Sequence, residues 1–226
     1  MTEYNQTYEA IVRKMALLRE RFNAGNEADR ADFTVKMAEL KNQLLALTRT
    51  KYPAPNLVYE VAALPHNEAE RMQTLRNMDV LDTPFEEVFN KIVELAAHLC
   101  GTPIALISLI DENRQWFKAN YGLSGAIQTP REDAFCAHTI LQRDVMEVID
   151  ARADPRFAQN PLVTGSPEIR FYAAAPLIVD DGIALGTLCV IDQQINLLTD
   201  HQKASLNMLA ALTSECLTTR RLLNKN

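Results

Sequence analysis

Ile104-Ala105-Leu106-Ile107-Ser108-Leu109-Ile110, then Asp111-Glu112-Asn113-Arg114, then Gln115-Trp116-Phe117-Lys118-Ala119-Asn120-Tyr121 is the stretch that decides the fold. The first seven residues are almost wholly apolar, rich in Ile and Leu, and too few for an ordinary helix, which marks a strand buried on both faces. The four polar residues suit a turn, and residues 115–121 read as the returning strand of a hairpin. A sheet strand covered on both faces needs a layer above it and a layer below.

Upstream, Gly101 and Pro103 stop a helix, Gly101 in the position that calls for a left-handed residue. Thr83-Pro84-Phe85-Glu86 supplies its expected start, with an N-cap, a first-turn proline and a capping-box acid. The spacing predicts that this helix buries Phe85, Val88, Phe89, Ile92, Ala96 and Leu99. Asn67 followed by Glu70 predicts an earlier helix running to about Met78. Downstream, residues 145–149 read as a short strand. Residues 170–179 and 183–191 flank Asp180-Asp181-Gly182, a second hairpin. Thr199 with Gln202 opens a closing helix whose apolar face carries Leu206, Leu209, Leu212, Cys216 and Leu217, and whose end carries Arg220 and Arg221, favourable to the helix dipole. Together these elements predict an α+β domain, with helices on one face of an antiparallel sheet. The other face falls to the irregular residues 122–169, and long ordered connections of this kind are where binding loops occur.

Ahead of the domain, Ile11, Met15, Leu18 and Phe22, from Tyr8 onward, alternate in steps of three and four, as do Phe33, Met37, Leu40, Leu44 and Leu47. Residues 1–52 therefore read as a helical hairpin, coiled-coil-like, turning at Asn23-Ala24-Gly25-Asn26. Such continuous seams exceed what two helices hide alone, so the hairpin is expected to drive homodimerisation. Tyr52-Pro53-Ala54-Pro55 and Pro65 make 53–65 the linker, and the domain runs over 66–226.

The 226 residues are 47% hydrophobic and 23% charged, an ordinary globular composition that excludes disordered and collagen-like classes. The net charge is −6, divided into +2 over residues 1–52 and −8 over the rest, which disfavours nucleic acid as a partner. The apolar runs are too short to span a membrane, and the start lacks a secretory leader, so the expected setting is the cytoplasm. Cys100, Cys136, Cys189 and Cys216 include no Cys-x-x-Cys pair and no His at zinc spacing; reduced, mostly buried thiols and no metal are expected.

Several motifs then carry a resemblance. Asp111-x-x-Arg114-Gln115-Trp116-Phe117-Lys118 comes first, followed by Pro130-Arg131-Glu132-Asp133-Ala134-Phe135-Cys136-Ala137-His138. Asp154-Pro155-Arg156-Phe157, Asn160-Pro161-Leu162-Val163, Ile169-Arg170-Phe171-Tyr172-Ala173 and Gly186-Thr187-Leu188-Cys189-Val190-Ile191-Asp192 complete the series. Over Asn67 to Leu217, about two thirds of the chain, the sequence resembles the GAF domain, the small-molecule sensory module of signalling proteins, in its bacterial sensory branch. The resemblance implies a sheet of five or six strands with the helices on one face and a loop-covered ligand cavity on the other. It names no cofactor, since GAF domains bind cyclic nucleotides, bilins, haem, amino acids, formate or nothing detectable, and fold alone does not choose among these.

The ligand-binding residues it nominates are Trp116, Phe135, Cys136, His138, Arg170, Tyr172 and Thr187. Each has a structural reading beside the functional one. Trp116 lines the cavity or packs on the linker. His138 shares a helical face with Phe135 and anchors the loop by hydrogen bonds while Phe135 packs. Arg170 grips an anion bidentately or pairs with Glu132, Asp133 or Asp154. Cys136 sits near a helix N-terminus at Asp133 or Ala134, where a thiol is activated, or is simply buried.

Family signatures narrow the ligand. The Asn-Lys and Phe-x-x-x-Asp-Glu pattern of cyclic-nucleotide binders is represented only by Asn90-Lys91. The Cys-His of bilin attachment has become Cys136-Ala137-His138, and residues two apart on a helix point about 200° away from each other. The expected function is a sensory or regulatory GAF protein without catalytic residues, which takes a small metabolite and signals through its dimer or an output protein in trans. Two competing readings stand beside it, a thiol-dependent redox enzyme of the free methionine sulfoxide reductase type and a non-binding scaffold. The first turns on whether Cys189 faces the loops and approaches Cys136 or points into the helical core.

Overall fold

Glu68–Asn77 (α1) and Glu87–Cys100 (α2) precede the first hairpin, Ile104–Ile110 (β1) with Arg114–Tyr121 (β2). The irregular middle holds Gln128–Pro130 (β3), Phe135–Thr139 (α3), Met146–Val148 (β4) and Pro161–Thr164 (α4). Phe171–Val179 (β5) and Ile183–Asp192 (β6) form the second hairpin, and Asp200–Leu223 (α5) closes the domain. This computed structural model describes residues 59–179 and 182–223, together with isolated positions within 6–18 and 36–43. Those positions are helical, and Ile11 and Met15 are buried. The remaining seam residues Tyr8, Phe22, Phe33, Met37, Leu44 and Leu47, the turn at 23–26, residues 53–58 of the linker and the turn residues Asp180 and Asp181 lie outside the described residues.

The sheet is six-stranded and antiparallel, in the order β3-β2-β1-β6-β5-β4. β1 is buried along its whole length, as a central strand covered on both faces must be. Side chains alternate across the sheet. Ile107, Leu109, Leu188 and Val190 enter a core with α1, α2 and α5, while Leu106, Ile110, Cys189 and Ile191 enter a second core with the irregular middle. Helices therefore cover one face and loops the other, as expected.

Gly101 ends α2 at φ 63°, ψ 43°, the left-handed cap anticipated for it. Thr199 and Gln202 form a reciprocal capping box at the start of α5: the Gln202 N–H donates to Thr199 Oγ1 at 3.2 Å and the Thr199 N–H to Gln202 Oε1 at 3.0 Å. Gly186 is required by packing, since a Cβ there would lie 1.9 Å from the Ser108 carbonyl oxygen.

The start of α2 differs from expectation. The helix begins at Glu87 with Glu86 in the N-cap position, and neither the Thr83 nor the Glu86 side chain caps it. Thr83 Oγ1 donates to the Val80 carbonyl and accepts from Lys118 Nζ, and the Glu86 carboxylate accepts from Lys118 at 2.6 Å and Arg220 at 2.7 Å. Lys118 has no exposed side-chain surface. A buried ammonium must be compensated, and it recruits the groups that local sequence would have assigned to a cap. α2 consequently buries Phe89, Ile92, Val93, Ala96, Ala97 and Cys100, whereas Phe85, Val88 and Leu99 are exposed. Leu212, expected on the buried face of α5, is exposed as well. Asn67 precedes α1 without a side-chain cap; its carbonyl accepts the Arg71 N–H.

Candidate functional site

On the loop side of the sheet lies a cavity of about 250 Å³. β1, β2 and β6 supply its apolar floor through Leu106, Phe117 and Ile191, the loop after β2 and the segment before β5 form its rim, and α3 brings Phe135 and Cys136. Among the described residues, no Asp, Glu, Lys, Arg or His lines it. Of the polar side chains that do line it, two carry an unpartnered buried atom. Gln115 and Thr129 are directly paired across β2 and β3, and both Gln115 Oε1 and Thr129 Oγ1 are buried without a hydrogen-bond partner. An orphaned buried acceptor costs about 1–3 kcal/mol, so two side by side against a cavity form a docking station for a donor that comes with a ligand.

Three of the nominated residues meet at this cavity. Phe135 and Tyr172 lie on the same face of the sheet with ring centroids 5.1 Å apart, and Cys136 lies beside them. The Tyr172 hydroxyl donates to Cys136 Sγ at 3.3 Å and lies 2.9 Å from Thr139 Oγ1. Thr187 lies beneath them, fully buried on β6 and paired with Ser108 of β1. Neither hydroxyl has a hydrogen bond of ordinary length to a protein group; both face sulfur.

The other three are placed elsewhere. Trp116 follows Gln115 on the strand and so points the opposite way, into the helical-side core rather than the cavity or the linker. His138 is directed at the linker: Glu60 O can only accept, so His138 Nε2 carries the proton and donates at 3.1 Å. Burial holds this imidazole below the ordinary histidine range. His138 also meets the edge of Phe157, on which Phe135 stacks at 3.9 Å, so its loop-anchoring reading holds. Arg170 meets none of the acids proposed for it. Its guanidinium donates to the Val163 carbonyl at 2.8 Å and sits near Glu168, because it lies at the joint between α4 and β5 rather than at the cavity.

Some positions of the motifs that carry the resemblance line the cavity, and others are structural. Asp111 pairs with Arg114, and Asp154 with Arg156. Asn160 caps α4 by accepting the Leu162 N–H while its amide donates to the Asp133 carbonyl. A GAF domain profile matches residues 84–217. The chain belongs to the GAF domain family. A 130-residue stretch is 49% identical to the cyclic di-GMP phosphodiesterase PA2567 of Pseudomonas aeruginosa, covering 58% of this chain and 22% of that protein. Among solved structures, the GAF domain of a phosphoenolpyruvate-protein phosphotransferase from Coxiella burnetii superposes with a TM-score of 0.53 at 15% identity, over 70% of this chain and 98% of its own. The corresponding Acinetobacter domain gives 0.51 at 16%, over 70% and 98%. The last two likenesses establish the fold alone.

Two contributors were missed in the sequence, and a third was left open. Gln115 was legible as an amide at the start of a buried-looking strand; Thr129 was not, since β3 is a short edge strand without periodicity. Cys189 was placed on its central strand, but not on a face. It lines the cavity with Cys136, on the loop side, so Cys136 does have a thiol neighbour.

Proposed function

We propose that this GAF domain is a sensory or regulatory module whose loop-side cavity takes one small uncharged metabolite. The observation that carries the reading is the pair Gln115 Oε1 and Thr129 Oγ1, orphaned in a lining without charged side chains. A ligand bearing an N–H or O–H group satisfies Gln115, and its apolar body packs on Leu106, Phe117 and Phe135. The volume falls just below the roughly 300–1,000 Å³ of sites for drug-sized molecules, which favours a compact occupant. A cyclic dinucleotide suits this lining poorly. It brings two phosphates, which call for Arg, Lys or a helix N-terminus of some length. The relationship to the Pseudomonas enzyme supports a shared sensory part, because the match spans only 22% of that protein and falls on a chain whose family match is the GAF domain. Free methionine sulfoxide, a zwitterion, likewise finds no charged partner.

Signalling is proposed to pass through self-association by residues 1–52 or to an output protein in trans. Native mass spectrometry of the purified full chain tests the cavity reading. A retained small molecule that is lost in Gln115→Leu supports it. Bare protein that shows no shift in melting temperature with any neutral metabolite in a screened collection overturns it in favour of a scaffold.

A further inference from the structure

Cys136 and Cys189 arrive at the cavity floor from different elements, α3 and the centre of β6, and both are reduced. Cys189 neighbours the Cys136 sulfur on the cavity lining, and the Tyr172 hydroxyl donates to that sulfur at 3.3 Å. Ser108 Oγ and Thr187 Oγ1, each with no exposed surface, face this pair without a partner. A neutral thiol is a weak acceptor and leaves two hydroxyls nearly unpaid; a thiolate, or an oxygen bonded to sulfur, accepts them. The cluster is thus arranged for a form of Cys136 other than the resting thiol.

We propose that Cys136 and Cys189 form an oxidisable dithiol that reacts with a small neutral hydroperoxide entering through the cavity. The Cys136 thiolate attacks the terminal peroxide oxygen; an S–O bond forms, the O–O bond breaks, and the departing alkoxide or hydroxide takes up the thiol proton. Sulfur gives up two electrons and becomes a sulfenic acid whose oxygen is within the reach of Ser108 and Thr187. Cys189 then attacks the Cys136 sulfur, the S–S bond forms, the S–O bond breaks, and water leaves with the Cys189 proton. Two thiols and one hydroperoxide yield one disulfide, one alcohol or water molecule, and one further water.

The electrostatics agree with this division of labour. Burial pushes the Cys136 thiol up, but the polar groups of Cys189, Thr187, Tyr172 and Ser108 gathered about its sulfur outweigh it, so Cys136 lies below the ordinary thiol range. Cys189 is held well above that range, first by its own hydrogen bond to Cys136 and then by burial. One sulfur is poised to attack and the other to stay protonated until a sulfenic acid forms. The uncharged lining admits a neutral peroxide and disfavours charged oxidants and charged thiols such as glutathione. A disulfide here ties α3 to β6 across the floor of the ligand cavity. The proposal needs that cavity only as an entrance, so retention of a metabolite and oxidation of the pair succeed or fail independently.

The test uses the reduced full chain, exposed to hydrogen peroxide, alkylated under denaturing conditions and mapped by peptide mass spectrometry. We expect loss of two hydrogens, a Cys136–Cys189 linkage, and Cys100 and Cys216 recovered as alkylated thiols. Cys189→Ser is expected to yield a dimedone adduct at Cys136 with no linkage, and Cys136→Ser neither product. Tyr172→Phe, which keeps both thiols, is expected to slow oxidation about tenfold at near-native stability. The proposal is overturned if wild type keeps all its thiols under peroxide, if linkage appears only after unfolding, or if Cys189 oxidises as fast in Cys136→Ser. Should the serine variants fold poorly, the wild-type map and the Tyr172→Phe rate still decide.

Discussion

Gln115 shows how one residue can hold a strand back for the sake of a site. Its Oε1 is buried beside Thr129 Oγ1 without a partner, a destabilising arrangement of the kind that functional sites tolerate. Gln115→Leu is expected to raise the stability of the ligand-free protein by about 1 kcal/mol in urea unfolding, and to abolish retention of a neutral ligand. An unchanged or lower midpoint would mean that Gln115 is structurally satisfied. Gly186 is the opposite case. Gly186→Ala forces a methyl against the Ser108 carbonyl and the Leu109 Cα, so β1 and β6 must separate. A loss of about 3 kcal/mol or more is expected, measured by the same unfolding. Both residues were visible in the sequence, one as an amide in an apolar strand and the other as a motif glycine. What each one faces was not visible, because the side of a strand toward which a residue points depends on its register with partners distant in the chain.

Among the elements, α1 is joined to the first hairpin by charge. Arg71 is almost wholly buried and donates to both oxygens of Glu68 and to the Ile110 carbonyl, and Arg131 donates to the same Glu68 carboxylate. Burial alone would raise the pKa of Glu68, but hydrogen bonds from Arg71 and Arg131 bring it down to about 2. A carboxylate depressed by folding stabilises the protein above its unfolded pKa, and that stability is lost as pH falls from about 4.5 toward 2. With the carboxylate partly exposed to water, the contribution is about 1–2 kcal/mol. Acid titration of unfolding free energy is expected to show this decline in wild type and a shallower one in Glu68→Gln. At pH 7 Glu68→Gln is expected to cost about 2–3 kcal/mol, because it leaves Arg71 buried without its counter-charge; Arg71→Met, which leaves Glu68 paired with Arg131, is expected to cost less. α2 marks the limit of periodicity. It carries apolar residues on two faces, with Phe89, Ile92 and Ala96 inside and Val88, Leu95 and Leu99 outside. Spacing alone does not choose between such faces; the position of the sheet does.

At the level of the whole molecule, self-association belongs to residues 1–52 in our reading. Light scattering is expected to find the full chain dimeric at tens of micromolar concentration and a variant lacking residues 1–52 monomeric. A monomeric full chain, or a truncated chain that stays dimeric, refutes that assignment. Local signals were enough for much of the fold. The run 104–110 with its turn, the glycine after α2, the capping box of α5 and the two hairpins are interactions between near neighbours, and they determined the α+β class, the element order and the division into a helical and a loop face. The linker, by contrast, joins the loop layer through partners far away in sequence, with Tyr59 donating to Asp133 and Glu60 bridging Arg156 and His138. The buried charge of Lys118 took Thr83 and Glu86 away from their local capping roles, and strand register set Gln115 toward the cavity and Trp116 away from it. Register likewise brought Cys189 beneath Cys136, so a thiol on a central strand became half of a pair. Those outcomes were decided only in the tertiary structure, because desolvation of a charge and the facing of a side chain depend on what the rest of the chain places beside it.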